Sequence, residues 1–224
     1  MNILTRNVWR LKLLRASTTR RQSLQALELC LKYLSARRIE GAFFEFGTLF
    51  GDIPLHADFL FSRSRNGFAR RDIVVFDSFQ GLPDKILDSE KATFKKGDLA
   101  YPIENYKRRL SRYKVIEKDV QVYPGWFEES LRNYSDKKQI ALAWIDADLF
   151  SSTSEVLAFL NNKLVDQALI VIDDYWVAKL NEGGPSVALN LWAKPENVSS
   201  DFELIPWRSF HWSGEIFIYH KLNS

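Results

Sequence analysis

A single cysteine, Cys30, stands in 224 residues, so no intramolecular disulfide framework can form and a cysteine-ligated zinc site has no ligands. A reducing, cytoplasmic setting is the expectation. Histidine is scarce too: His56, His211 and His220 are the only three, and none repeats at the H-x-x-x-H spacing of a zinc hydrolase. His211, within Ser209-Phe210-His211-Trp212, reads as a surface or partly packed side chain. Nowhere do about 20 apolar residues run together, and the N-terminus lacks the apolar core of a signal peptide. No membrane span and no secretion are expected, which deprives the glycosylation-like triplets at Asn133 and Asn197 of meaning. Repeats, low-complexity tracts and Pro/Gly/Ser-rich linkers are also missing, so the chain reads as one architecture.

What is present points to a packed domain. A hydrophobic content of 46% and an aromatic content of 14% lie far from the composition of disordered chains. The length suits one sizeable core. The net charge of +3 is unevenly spread. Arg6, Arg10, Lys12, Arg15, Arg20 and Arg21 occur before any acid, which leaves the remainder at −3. Residues 1–38 read as a basic helical arm, solvated or used for homo-oligomerisation, ahead of a catalytic domain over 39–224. Its arginines lack interleaved aromatics or a base-reading element, so nucleic acid is not expected as a partner.

Leu24, Leu27, Leu31 and Leu34 recur at helical spacing, and Thr19 with Gln22 resembles a capping box, which predicts a helix over about 20–36. Beyond it, short apolar runs predict buried strands at Ala42–Phe46, Ile73–Phe76, Lys114–Ile116, Ile140–Ile145 and Leu169–Ile172. Helices are expected between them near Pro54–Ser62, Ile103–Ser111, Trp126–Arg132, Thr153–Asn162 and Pro185–Ala193. This alternation predicts an α/β fold with a doubly wound, mostly parallel sheet. Phe202–Ile205 and Glu215–His220 have no helix between them and predict an antiparallel C-terminal strand pair.

In such a sheet, ligands bind beyond the carboxyl ends of the strands, and those ends are where acids and glycines collect. Glu45, Gly47 and Gly51 surround a strand-to-helix turn where missing Cβ atoms would let a ligand lie against backbone. Asp77 ends the next strand, where an acid can accept both hydroxyls of a ribose. Asp146 and Asp148 would share a face if their strand continues. Asp173 and Asp174 end the neighbouring run. Two facing carboxylate pairs repel unless a cation neutralises them or protons are shared. A hard divalent ion fits oxygen ligands, magnesium first, with calcium or manganese as alternatives.

Four blocks then occur in a fixed order: Asp77 to Pro83 (D-S-F-Q-G-L-P), Gly125 to Leu131 (G-W-F-E-E-S-L), Asp146 to Phe150 (D-A-D-L-F) with Ser152-Thr153, and Asp173 to Tyr175 (D-D-Y). Over about residues 40–193 the chain resembles the macrocin O-methyltransferase family, whose better-known members methylate sugar hydroxyls on macrolide and aminocoumarin antibiotics. The resemblance implies a class I methyltransferase using S-adenosylmethionine and Mg2+ or another divalent cation, with a small-molecule hydroxyl acceptor, a sugar above all. It implies that Glu45, Gly47 and Gly51 form the cofactor turn, that Asp77 with Ser78 binds its ribose, and that Gly125 and Trp126 border its adenine. Asp146, beside the cofactor, would ligate the metal with Asp173 and Asp174, and Asp148 would be the general base. Thr48 and Gln80 depart from the usual small aliphatic residue and acid at their places.

Other readings of the aspartates are weaker. A phosphoaspartate hydrolase needs its D-x-D near the start of the fold, and a nucleotide-sugar transferase leaves the glycine turn and Asp77 unexplained. A phenolic acceptor and a non-catalytic cofactor-binding module are the remaining alternatives.

Overall fold

The computed structural model describes residues 17–62, 67–115, 119–177, 183–194 and 202–222. Among them, seven strands form one sheet: β1 (Ala42–Phe46), β2 (Ile73–Asp77), β3 (Val120–Pro124), β4 (Ile140–Ile145), β5 (Leu164–Ile172), β6 (Phe202–Phe210) and β7 (Gly214–Lys221). Their order is β3-β2-β1-β4-β5-β7-β6. The first five are mutually parallel, and β7 runs antiparallel to both β5 and β6. The expected α/β class and antiparallel C-terminal pair are thus observed.

Six helices among the described residues cover the sheet. On one face lie α1 (Thr18–Ala36), α2 (Asp52–Phe61) and α3 (Ile103–Arg112); α4 (Phe127–Ser130), α5 (Phe150–Leu160) and α6 (Gly184–Trp192) belong to the other. The strand period of two sorts the side chains: Phe43 packs with Leu27, Leu31 and Leu34 of α1, while Phe44 and Phe46 pack with Val156, Leu157 and Leu160 of α5. All of these are buried.

The α1 leucines therefore share one apolar cluster with β1, β2 and β4, although the sequence had set the helix within an arm ending at residue 38. Arg20 pairs with Asp52 of α2, which also pairs with Arg109 of α3. Arg6, Arg10, Lys12 and Arg15 lie outside the described residues. The helix also starts differently from expectation: its cap is Ser17, whose Oγ accepts the Arg20 N–H at 3.3 Å, in place of a Thr19 box.

Strand positions on the margins differ more. The third strand is not where the run at Lys114–Ile116 predicted it: Lys114 lies in a turn after α3, Ile116 lies outside the described residues, and β3 begins at Val120. As an edge strand with partly exposed side chains, β3 lacks the continuous apolar signature of a buried strand. It ends at Pro124, a position an edge tolerates. Strand β5 starts at Leu164, ahead of the expected Leu169, and its polar Asp166 and Gln167 accompany a break in register with β4.

Candidate active site

The carboxyl ends of β1, β2 and β4 enclose the first part of the site. Gly47 has φ +81° and Gly51 φ +75°. A Cβ at Gly47 would fall 1.9 Å from the Asp146 carbonyl oxygen, and one at Gly51 would fall 2.5 Å from the Tyr106 ring. The glycines are required because the turn packs on the aspartate loop and on α3, and any side chain would also strain the backbone. Asp77 fixes the same turn from β2. Its Oδ2 accepts the backbone N–H of Thr48 at 2.7 Å and of Leu49 at 3.2 Å, while Oδ1 accepts that of Phe79 at 2.6 Å.

Ser78 Oγ donates to the Gly81 carbonyl at 2.8 Å, and the Trp126 indole N–H reaches the same oxygen at 3.4 Å. These segments bound a cavity of about 440 Å³, and Gly47, Asp77, Ser78, Trp126, Asp146 and Asp148 all line it. Glu45, Gly51 and Gly125 are not on its wall. Gly125 donates its N–H to the Asp77 carbonyl at 2.9 Å, holding β3's exit against β2. Glu45 is buried on the same face of β1 as Phe43, and its Oε2 has no hydrogen-bond partner among the described residues. Burial above all pushes the Glu45 carboxyl well above the usual range, with the charges of Asp77, Asp52 and Asp173 acting in the same direction.

The acidic cluster forms by a different route from the one its spacing suggests. Strand β4 ends at Ile145, so Asp146 and Asp148 do not share a face by pleat alternation. Asp146 donates its N–H to the Phe46 carbonyl at 2.9 Å, and Asp148 takes a left-handed φ of +57°. Non-glycine residues in that region cost on the order of 1 kcal/mol and persist where surrounding structure imposes them. The resulting turn lets one carboxylate oxygen each from Asp146, Asp148 and Asp174 lie within 4.8 Å of one another.

Asp173 points elsewhere with one oxygen. Its Oδ1 meets Ser23 Oγ of α1 at 3.5 Å and His211 Nε2 at 3.4 Å. The His211 ring is 1% exposed, more fully packed than the surface or partly packed side chain expected. Its Nδ1 accepts the backbone N–H groups of Ser213 at 3.1 Å and Gly214 at 3.2 Å. That leaves Nε2 as the protonated nitrogen, donating to Asp173. Ser213 Oγ completes the support by contacting Asp174 Oδ1 at 3.3 Å.

Burial is the main force raising the pKa of Asp146 and Asp148 well above the carboxylate range, followed by neighbouring charge: Asp173 and Asp174 act on Asp146, and Asp174 on Asp148. Asp174 is raised as well, again by burial first. Buried acids that resist joint ionisation form the donor set that a hard divalent cation fits.

Glu90 was not visible as a functional residue in the sequence. It is 5% exposed, yet its Oε1 accepts the N–H of Phe150 at 2.8 Å and of Gly184 at 3.0 Å, and its Oε2 accepts that of Leu87 at 3.0 Å. Phe150 opens α5 and Gly184 opens α6. One carboxylate thus caps two helices whose own N-cap residues, Leu149 and Gly183, make no side-chain cap. Partners 60 and 94 residues away leave no local motif to read. Leu87, not a serine, stands three residues before Glu90, so no capping-box spacing marks it either.

A sheet of this order with a reversed β7, and a cavity beyond β1, β2 and β4, defines the class I methyltransferase fold. The solved O-methyltransferase NovP shares it, with a TM-score of 0.74 and 22% identity over 89% of this chain and 80% of that one. The chain belongs to the macrocin O-methyltransferase family (TylF), whose profile matches residues 13–213. It is similar to the 8-demethyl-8-(2,3-dimethoxy-alpha-L-rhamnosyl)-tetracenomycin-C 4'-O-methyltransferase of Streptomyces olivaceus, at 29% identity over 158 residues, which cover 68% of this chain and 59% of the relative. With the mycinamicin III 3''-O-methyltransferase of Micromonospora griseorubida it shares 27% over 146 residues, or 62% of this chain and 57% of that one. The matched region is less than two thirds of the length of either relative.

Proposed function

We propose that this protein transfers the methyl group of S-adenosylmethionine to a hydroxyl oxygen of a sugar, most naturally one carried on a larger natural product. The observation that carries this reading is continuity: Asp146 and Asp148 belong both to the wall of the cavity and to the acidic cluster. A cofactor bound there places its reactive end beside the aspartates. Family membership and relatives named for methylating glycosylated antibiotics support the choice of acceptor.

Asp77 lines the cavity and, with one carboxylate lone pair beyond the three used by the turn, is assigned to the cofactor's ribose, with Ser78 beside it and Trp126 toward the adenine. Gly47 and Gly51 hold the turn in place. Glu45 and Gly125 are assigned supporting roles behind the wall. Asp146 and Asp174 would hold a divalent cation, magnesium first, with the second oxygen of Asp173 as a further ligand. When bound, the cation would neutralise the cluster and acidify the acceptor hydroxyl. Asp148 takes the hydroxyl proton at its carboxylate. Burial lifts its basicity toward what proton abstraction from an alcohol needs. Methyl transfer itself then depends on in-line positioning.

The mutual reach of Asp146, Asp148 and Asp174 supports a second assignment, in which Asp148 is a ligand and another group takes the proton. Incubation with methyl-labelled S-adenosylmethionine and a panel of glycosides and phenols, with magnesium or with chelator, tests the reading. Labelled glycosides with magnesium support it. Label confined to phenols moves the acceptor class, and no label in any acceptor contradicts it.

A further inference from the structure

Two indole rings stand exposed beside the acidic cluster. Trp212 is 68% exposed and Trp176 46%. Both lie at the carboxyl edge of the sheet. Trp176 follows Asp173 and Asp174 in the turn after β5, and Trp212 sits in the His211–Ser213 turn between β6 and β7.

Each is held by groups that also contact the aspartates. Trp176 donates its backbone N–H to the Ser213 carbonyl at 3.0 Å, and Ser213 Oγ contacts Asp174. Its indole N–H reaches Glu215 Oε2 at 3.3 Å, and its ring stands edge-on to Tyr175 at 4.8 Å. The half-exposed ring therefore keeps a defined orientation. On the other side, His211 turns inward to Asp173, and its Nδ1 accepts from Ser213 and Gly214. A Cβ on Gly214 would meet the Phe210 ring at 2.4 Å, so the turn closes only with glycine there. Trp212 projects from this tightly tied turn into solvent.

An indole joins a broad apolar face to a polar N–H, which suits a surface that is covered on one side and wet on the other. We propose that Trp176 and Trp212 form the platform on which the sugar ring of the acceptor stacks. This rests on the proposed methyl transfer to glycosides, and it names the subsite. A pyranose offers an apolar face of C–H bonds to an indole and presents hydroxyls at its rim, toward the aspartates.

The test is equilibrium binding, measured apart from turnover. Protein loaded with S-adenosylhomocysteine and magnesium is titrated with 4-nitrophenyl rhamnoside by calorimetry, using wild type, Trp176→Ala, Trp212→Ala and the two Phe variants. Each Ala variant is expected to weaken binding about tenfold, the scale of one aromatic contact. Phe is expected to restore most of the loss, with homocysteine-product affinity unchanged throughout. No wild-type binding at millimolar glycoside, or wild-type affinity in both Ala variants, overturns the platform. Glycoside binding that depends on both rings but leads to no methylation leaves the platform standing and removes the proposed reaction instead.

Discussion

Glu90 Oε1 accepts the backbone N–H of Phe150 across 60 residues of sequence, at 2.8 Å. The bond sits two residues beyond Asp148, and the same oxygen holds Gly184 at the start of α6. The position of the Asp146–Asp148 turn thus depends on a carboxylate supplied by the loop after β2. Glu90→Ala leaves one buried and two partly buried N–H groups without their acceptor and is expected to destabilise the protein by about 2–4 kcal/mol. Glu90→Gln keeps one acceptor oxygen and should lose about half as much. Urea unfolding of both variants measures this, and wild-type stability in Glu90→Ala would show that water replaces the clamp.

Asp77 serves the fold and the cavity together. Asp77→Asn forfeits one of two acceptor oxygens that serve Thr48, Leu49 and Phe79. A stability loss of about 1–3 kcal/mol is expected, with S-adenosylhomocysteine affinity falling roughly tenfold or more. Thermal unfolding and calorimetry on the same preparation separate the two effects. Unchanged affinity in a folded variant would remove Asp77 from the cofactor site.

For the base, Asp148→Asn preserves shape and removes the proton acceptor. Turnover should fall roughly 10²–10⁴-fold while affinities for cofactor and magnesium stay close to wild type. Asp174→Asn should lower magnesium affinity instead. Loss of magnesium affinity in Asp148→Asn by as much as in Asp174→Asn would favour the assignment of Asp148 as a ligand.

Glu45 carries a pH signature. Its folded pKa is raised by burial above the unfolded value, so its contribution is fully present below the unfolded pKa and is lost as pH rises toward the folded one. Glu45→Gln has no such loss. Its stability relative to wild type should therefore improve from pH 5 to pH 8, in chelator so that the aspartate cluster is treated alike in both proteins. Urea midpoints at the two pH values give the comparison, and a difference independent of pH would mean that Glu45 ionises freely in the fold.

Much of this was legible from the sequence because buried parallel strands announce themselves. Ile140–Ile145 is an unbroken apolar run and Ala42–Phe46 is interrupted only by Glu45, and both form strands over those same residues. Edge strands do not: Val120–Pro124 mixes exposed and buried positions, and Phe202–Phe210 continues through Pro206 where β6 lies at the sheet's rim. At the site, the D-x-D spacing revealed that Asp146 and Asp148 are close. It could not reveal that the left-handed backbone of Asp148 brings them together, or that Asp173 turns one oxygen to His211. Glu90 and the buried His211 were hidden because their partners are distant in sequence or are backbone atoms, which carry no residue identity.

In the proposed reaction, one continuous cavity joins a methyl donor to a sugar hydroxyl at the aspartates. Product analysis by NMR after reaction with a deuterated-methyl donor and a rhamnoside tests it most directly. The expected product is a deuterated methyl ether on one sugar oxygen, absent in chelator and in Asp148→Asn. Label on nitrogen, carbon or a phenolic oxygen, or full sugar methylation by Asp148→Asn, would contradict it.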